Sequence, residues 1–292
     1  MSFASRVEIS IGKTMEFVIG VWVRIAGRRV LKAEAQWLNC PMGTKDRIGA
    51  EFYKFLAEKE NLEIKQTDDS GLLESFEQLR SPVFDPSQIH PLVRHFYEHT
   101  SCYRLEAWSE SPAFTRIFLW ALTRFISKRM DQLNFPVSSL ELSEGMTSEI
   151  LPMFNLQTRK RVHTGWLRRI ASTKRVIYTG LYTVEPPAEF NQPCVKVSFP
   201  IPRGSATVFL RPEAVPDGSF KLISSGSQFG DPGFYRMIEA GADSWHVLRI
   251  RTLKEYFHVY VDDSGVLRTV HLVKFMGFTA LRLVYKMERH SE

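Results

Sequence analysis

The segment Glu255–Phe275, EYFHVYVDDSGVLRTVHLVKF, decides the fold because it consists of two strand-like runs joined by a tight turn. Both runs are rich in β-branched and aromatic residues, and the turn-forming sequence DDSG at 262–265 separates them. Side chains alternate between the two faces of a strand. In the first run one face therefore carries Tyr256, His258 and Tyr260, and the other carries Phe257, Val259 and Val261.

The same pattern continues outward from this segment through most of the second half of the chain. Runs of similar composition recur about every ten to twelve residues with Pro-, Gly- and Asp-containing turns between them, which indicates an antiparallel sheet. Nine strands are predicted: Val176–Val184, Cys194–Pro200, Ser205–Arg211, Phe220–Ser225, Phe234–Ala240, Trp245–Thr252, Glu255–Asp262, Val266–Phe275 and Phe278–Met287.

The first half has a helical period instead. Apolar residues recur at three- and four-residue spacing, which predicts amphipathic helices. We predict helices from Thr14 to Leu38, from Ile48 to Glu60, from Leu72 to Arg80 and over Phe114–Ile126, the last one starting after Pro112. Pro86 and Pro91 also stand where proline is favoured, in the first turn of a helix.

These patterns predict an α+β fold with a helical N-terminal half packed on a strongly bent antiparallel β-sheet or barrel. Residues 1–150 would form the helical region and residues 151–292 the β meander, either as two regions or as one integrated domain. The charge changes sign at the same place. The first region has 18 Lys/Arg against 20 Asp/Glu (net −2), and the second has 20 against 12 (net +8).

The β-rich half supplies the candidate functional residues. If its polar faces line the concave side of the sheet, they form a cavity for an apolar or amphipathic small molecule or lipid. Arginines would anchor an anionic group, and histidine and tyrosine could carry out acid–base chemistry of the cyclase or isomerase type. The ligand-binding candidates are Arg249, Arg251, Arg268 and Arg282, and the catalytic candidates are Tyr256, His258, Tyr260 and His271. The residues leave open whether the protein is an enzyme.

A second hypothesis is an adaptor function of a basic segment between residues 158 and 176. Its cations alternate with apolar and aromatic residues, a composition that can bind the phosphates of nucleic acid or of lipid headgroups. The anion-binding candidates are Arg159, Lys160, Arg161, Arg168 and Arg169. A solvated connecting segment has the same composition, so the sequence favours a small apolar or amphipathic ligand as the partner over an anionic membrane or nucleic acid.

A third hypothesis comes from the string His95-Phe96-Tyr97-Glu98-His99. It resembles the inverted zinc-protease signature H-x-x-E-H, and the resemblance is confined to these five residues. It implies that His95 and His99 ligate zinc while Glu98 activates a water molecule. No cofactor is predicted outside this alternative.

The remaining composition suggests a cytoplasmic protein. The most apolar stretch, from Phe17 to Gly27, is shorter than the roughly 20 residues that span a bilayer. The N-terminus does not have the pattern of a signal peptide. Cys40, Cys102 and Cys194 are odd in number and widely scattered, which does not indicate a disulfide framework.

Overall fold

The structure is a computed structural model, and it describes residues 14, 17–44, 48–110, 132 and 145–290. Within these residues the chain forms three short helices and a sheet of fourteen strands. The helices are α1 (17–26), α2 (Phe52–Glu60) and α3 (Pro91–Glu98). The strands are β1 (Arg28–Leu31), β2 (Leu62–Ile64), β3 (Tyr103–Glu110), β4 (Met146–Asn155), β5 (Arg161–Ile170), β6 (Val176–Glu185), β7 (Cys194–Ile201), β8 (Gly204–Ala214), β9 (Phe220–Ile223), β10 (Gly233–Glu239), β11 (Ser244–Ile250), β12 (Leu253–Val261), β13 (Leu267–Phe275) and β14 (Phe278–Arg289).

All strand pairings are antiparallel, and most join neighbours in sequence. The main path runs β2-β4-β5-β6-β7-β8-β9-β12-β13-β14-β3. Strand β8 is the branch point, because residues 204–209 pair with β10 and residues 211–214 pair with β9. Strands β10, β11 and β1 form the side branch. We call β4–β8 the first wing, and β9, β12, β13, β14 and β3 the second wing.

The two wings face each other across one apolar core. Trp166 and Tyr178 of the first wing belong to the same buried cluster as Leu267 and Tyr285 of the second wing. Phe76 and Phe96, from the segment that contains α3, belong to it as well. This arrangement buries the inner faces of both wings.

The nine strands predicted from residue 176 onward are confirmed, with ends that differ by a few residues. Local turn chemistry explains the agreement. Between β13 and β14, Met276 and Gly277 both have positive φ, 52° and 88°. Two consecutive residues of this kind form the type I′ turn that fits the twist of a hairpin.

The prediction of a helical N-terminal half is wrong, because the molecule is mostly antiparallel β-sheet. The helix predicted from Thr14 to Leu38 ends at residue 26, and the chain continues as β1 along β11. Gly27 explains the change. A Cβ there would collide with the carbonyl oxygens of Val23 and Val247, so only glycine lets the chain turn so close to β11.

Other first-half elements also differ from the prediction. The helix predicted from Ile48 is confirmed but starts at Phe52. The one predicted over Leu72–Arg80 is only a 3₁₀ turn at Phe76–Leu79. The fourth predicted helix, over Phe114–Ile126, lies outside the described residues.

The barrel alternative is also wrong, because the hydrogen-bonded sheet is open, with β2 and β3 as the ends of its main path. The sequence patterns do not predict strands β1 to β5. The division into regions at residue 150 stays a prediction.

Candidate functional site

A cavity of about 80 Å³ lies inside the core, between the two wings. Most of its walls are aliphatic or aromatic. They comprise Leu72, Phe96, Tyr97, Leu105, Trp166, Tyr178, Tyr182, Val195, Val197, Phe199, Val208, Leu210, Leu222, Phe257, Tyr285 and Met287. Four further lining residues, Arg168, Glu255, Thr269 and His271, bring charge and polarity into this apolar space. Apolar walls with a few polar groups are typical of small-molecule sites.

Arg168 is the main polar feature of the first wing. It lies on β5 and is only 4% exposed. The guanidinium carbon lies 5.3 Å from the ring centre of Trp166, 5.6 Å from that of Tyr178 and 5.0 Å from that of Tyr285. Such distances allow cation–π attraction.

The hydrogen bonds of Arg168 are weak. Its Nη1 lies 3.5 Å from the Tyr285 hydroxyl, and its Nη2 lies 3.4 Å from the sulfur of Met146. Its Nε is buried and has no hydrogen-bond partner in the described structure. No carboxylate of the described residues forms an ion pair with it. Tyr178 also hydrogen-bonds to the guanidinium. The guanidinium is therefore a buried cation with one unused donor, Nε, and no carboxylate partner among the described residues.

The second wing contributes a buried histidine–carboxylate pair. His271 Nε2 lies 2.6 Å from Glu255 Oε1, and both side chains are largely buried. The His271 ring stacks on Phe257 with centres 3.9 Å apart, because these two residues are register partners on β12 and β13. Glu255 thus has a close partner on its own wing.

Four tyrosines, Tyr97, Tyr178, Tyr182 and Tyr285, add phenol groups to the cavity walls. Burial raises the pKa of Tyr178 to about 12. Burial also raises the pKa of Tyr182 well above its usual value. Both hydroxyls therefore stay protonated near neutral pH, and they lie 3.4 Å from each other.

A second space of about 180 Å³ adjoins the cavity, and we call it the polar cleft. It shares Leu72 and Tyr182 with the cavity, so these two side chains stand between the two spaces. Its other lining residues are mostly polar and include Glu74, Arg161 and Glu185.

Of the four predicted catalytic residues, only His271 lines the cavity. Tyr256, His258 and Tyr260 lie on the opposite face of β12 from Glu255 and Phe257, because alternate residues point to opposite sides. His258 Nε2 lies 2.8 Å from the Ser219 hydroxyl.

The four predicted ligand-binding arginines do not line the cavity. Arg249 lies beside the Pro232 carbonyl, at 3.4 Å, and Arg251 is exposed in the turn after β11. Arg268 pairs with Asp262 at 2.7 Å, and Arg282 pairs with Glu110 at 2.6 Å. The structure therefore does not bring the eight candidates together, and their functional roles stay predictions.

The basic segment folds as a turn followed by β5, and its cations therefore lie in different environments. Arg159 pairs with Glu63 at 2.9 Å, Arg169 pairs with Glu149 at 2.6 Å, and Arg161 donates to the Gly71 carbonyl. Lys160 is exposed and Arg168 lies in the cavity. The special position of Arg168 could have been found in the sequence, because Trp166 and Ile170 flank it on the same face of a strand.

The histidines of the H-x-x-E-H string lie at the end of α3, and their ring centres are 4.4 Å apart. His99 Nδ1 lies 2.6 Å from Asp69, and His95 contacts Tyr103 and Arg289. Glu98 accepts a hydrogen bond from the Phe76 backbone N–H at 2.6 Å. Burial, followed by the nearby Arg289 charge, lowers the pKa of His95. Across the described residues, no group of three or more His, Cys, Asp or Glu side chains is placed to hold a metal ion.

Comparison with known proteins gives one weak likeness. The chain is 26% identical over 247 residues to a protein of Bacillus subtilis (strain 168) that is described as "Uncharacterized membrane protein YndJ". The aligned region covers 83% of this chain and 42% of the relative, so the chain spans less than half of that protein's length. No protein-family model and no solved structure matches the chain.

In the part of the chain that the structure describes, none of the helices has the length and apolar character needed to cross a membrane. The cytoplasmic location stays a prediction.

Proposed function

We propose that the protein binds a small apolar or amphipathic molecule with a carboxylate or similar anionic group in the cavity between the wings. The observation that carries this proposal is the buried guanidinium of Arg168, which faces an apolar space and has no acidic partner among the described residues. The bound anion would supply that partner.

The energetics of burial support the proposal. A buried charge destabilises a protein by several kcal/mol unless it is paired and hydrogen-bonded. The three aromatic rings around Arg168 offset part of this cost, at about 2 kcal/mol for a desolvated cation–π contact. The ring faces do not accept hydrogen bonds from the N–H donors in the plane of the guanidinium, and the Tyr285 hydroxyl lies at a long 3.5 Å from Nη1. A carboxylate can accept two parallel hydrogen bonds from these donors.

The size of the cavity limits the ligand. A volume of about 80 Å³ suits a short carboxylic acid.

A second candidate function, proton transfer to or from the bound molecule, is favoured by the His271–Glu255 pair in the same cavity. A carboxylate beside an imidazole fixes the orientation of the ring. In such a reaction His271 would be the group that exchanges the proton, and Arg168 would hold the anion.

The test is a thermal-shift and calorimetric comparison of short straight-chain carboxylic acids with the alcohols of equal length. We expect the acids to raise the melting temperature and the alcohols to have a much smaller effect. Arg168→Met should weaken acid binding at least about tenfold, since a charge-assisted hydrogen bond contributes roughly 1.5–3 kcal/mol. The variant itself should be as stable as the wild type or more stable, because it removes a buried cation.

Arg169→Met is the matched control. Arg169 lies next in the same strand but pairs with Glu149, away from the cavity. It should bind acids as the wild type does. Equal binding of acids and alcohols, or unchanged acid binding by Arg168→Met, would show that the proposal is wrong.

A further inference from the structure

Helix α1 is apolar on two opposite faces. One face packs on the side branch of the sheet, where Ile19 and Val23 contact Ile238 and Leu248. The other face bears Phe17, Val18, Trp22 and Ile25, whose side chains are 68%, 58%, 51% and 78% exposed. On a helix of 3.6 residues per turn these four positions span an arc of about 140°.

The exposed apolar face of α1 indicates that another molecule binds there. A surface helix of a globular protein normally has a polar face toward water. Contiguous exposed apolar side chains usually mark an interaction site. Leu31 on β1, directly after the helix, is also 48% exposed and extends the apolar surface along the chain.

The charge next to this face identifies the partner. From residue 17 to residue 33 the chain contains Arg24, Arg28, Arg29 and Lys32 and no acidic residue. The three arginines are exposed. A partner that suits this surface combines negative charge with an apolar layer into which side chains can insert. An anionic lipid bilayer has both at its surface.

We propose that α1 docks the protein on an anionic membrane surface. Phe17, Trp22 and Ile25 enter the boundary between headgroups and acyl chains, where tryptophan is favoured. Arg24 and Arg29 contact lipid phosphates. Because Ile19 and Val23 stay packed on the sheet, the helix lies along the protein surface and in the plane of the membrane.

A second copy of this chain fits the same face less well. A two-fold dimer brings the same patch of both copies together. It would place the arginines of both copies close to one another. The membrane proposal is independent of ligand binding, because α1 packs on β10 and β11 and contributes nothing to the cavity.

The test is co-sedimentation of the full chain with phosphatidylcholine vesicles, with and without phosphatidylglycerol. We expect binding only when phosphatidylglycerol is present, and we expect it to weaken as salt screens the charges. Arg24→Gln with Arg29→Gln should bind about 20- to 30-fold more weakly, at about 1 kcal/mol per cation near the surface. Trp22→Ser with Ile25→Ser should bind at least about tenfold more weakly, because two large apolar side chains no longer insert.

Matched controls remove the same kinds of groups elsewhere. Val83→Ser removes a side chain that is 70% exposed, and Lys54→Gln with Lys59→Gln removes two cations from α2. Both should bind as the wild type does, and urea unfolding should show that all variants remain folded.

Three outcomes would overturn the proposal. The first is no binding of the wild type to phosphatidylglycerol vesicles, and the second is equal loss of binding in the control variants. The third is a concentration-dependent dimer that Trp22→Ser with Ile25→Ser abolishes, which would assign the face to a second copy.

Discussion

At the scale of single residues, His258 gives the protein a pH-dependent stability. Burial lowers its pKa, the nearby Lys221 lowers it further, and Asp217 opposes the change. The folded state therefore prefers the neutral ring, and the unfolded chain binds the proton more readily. The stability that this residue contributes is present above the ordinary histidine pKa of about 6.5 and is lost as the pH falls toward the lower pKa of the folded state.

We expect His258→Gln to lose less stability than the wild type when the pH is lowered from neutral to about 5. Urea unfolding of both proteins over this range measures the difference. An NMR titration of the His258 ring gives the folded pKa directly. Parallel stability curves, or a ring that titrates above 6.5, would contradict the prediction.

The sequence showed which residue types could form a site, but it could not show which of them meet. Arg168 appears in the sequence as one of several cations in a basic run. In the fold Arg159 pairs with Glu63 and Arg169 with Glu149, whereas Arg168 turns inward and has no such partner among the described residues. His271 and Glu255 are sixteen residues apart and meet only because β12 and β13 pair in a particular register.

At the scale of elements, α2 is held on the first wing by Tyr53. Its hydroxyl donates to the Gly180 carbonyl at 2.9 Å, and its ring lies over Gly165 on β5. A Cβ at Gly165 would come within 2.5 Å of a Tyr53 ring carbon. Gly165→Ala should therefore destabilise the protein by about 1–3 kcal/mol, as overpacking of a core does.

Chemical denaturation measures this loss, and Gly20→Ala is the control. Gly20 lies in α1, and the nearest atom to a Cβ there is the end of the Arg24 side chain, at 3.6 Å. That change should leave stability unchanged or raise it by up to about 1 kcal/mol, because alanine favours a helix. A Gly165→Ala protein as stable as the wild type would mean that Tyr53 is free to move away.

Sequence patterns predict correctly those elements that are determined by residues close together in the chain. The hairpins from residue 176 onward have their own turn residues and were predicted. By contrast, β1 depends on pairing with β11, more than two hundred residues later in the chain. Strand β5 was missed because its many basic residues concealed the alternation of its apolar ones.

At the scale of the whole molecule, the two halves seen in the sequence share one core. The segment from residue 72 to residue 105 contributes buried side chains, among them Leu72 and Leu105, to the same cluster as both wings. The alternation of side chains along β12 defines two faces of the strand. It does not show which face is buried, because both faces contain aromatic residues. The inner face proved to be that of Glu255 and Phe257, because the opposing wing and α3 supply apolar partners to it.

This shared core predicts cooperative unfolding, and Phe220 is the residue that tests it. Its side chain is fully buried on β9 and contacts the rings of Phe76, Phe84 and Tyr97, at centre distances of 5.0, 5.7 and 5.5 Å. Phe220→Ala should cost about 3–5 kcal/mol, as other buried Phe-to-Ala changes do. Phe278→Ala, at a side chain that is 65% exposed, should cost less than about 0.5 kcal/mol.

Urea unfolding followed by far-UV circular dichroism and by tryptophan fluorescence checks both changes. We expect the two signals to change together in the wild type and in Phe220→Ala, because removal of a shared side chain weakens the whole core at once. Two separate transitions in Phe220→Ala would mean that the segment around α3 unfolds by itself, and that the sheet is stable without it.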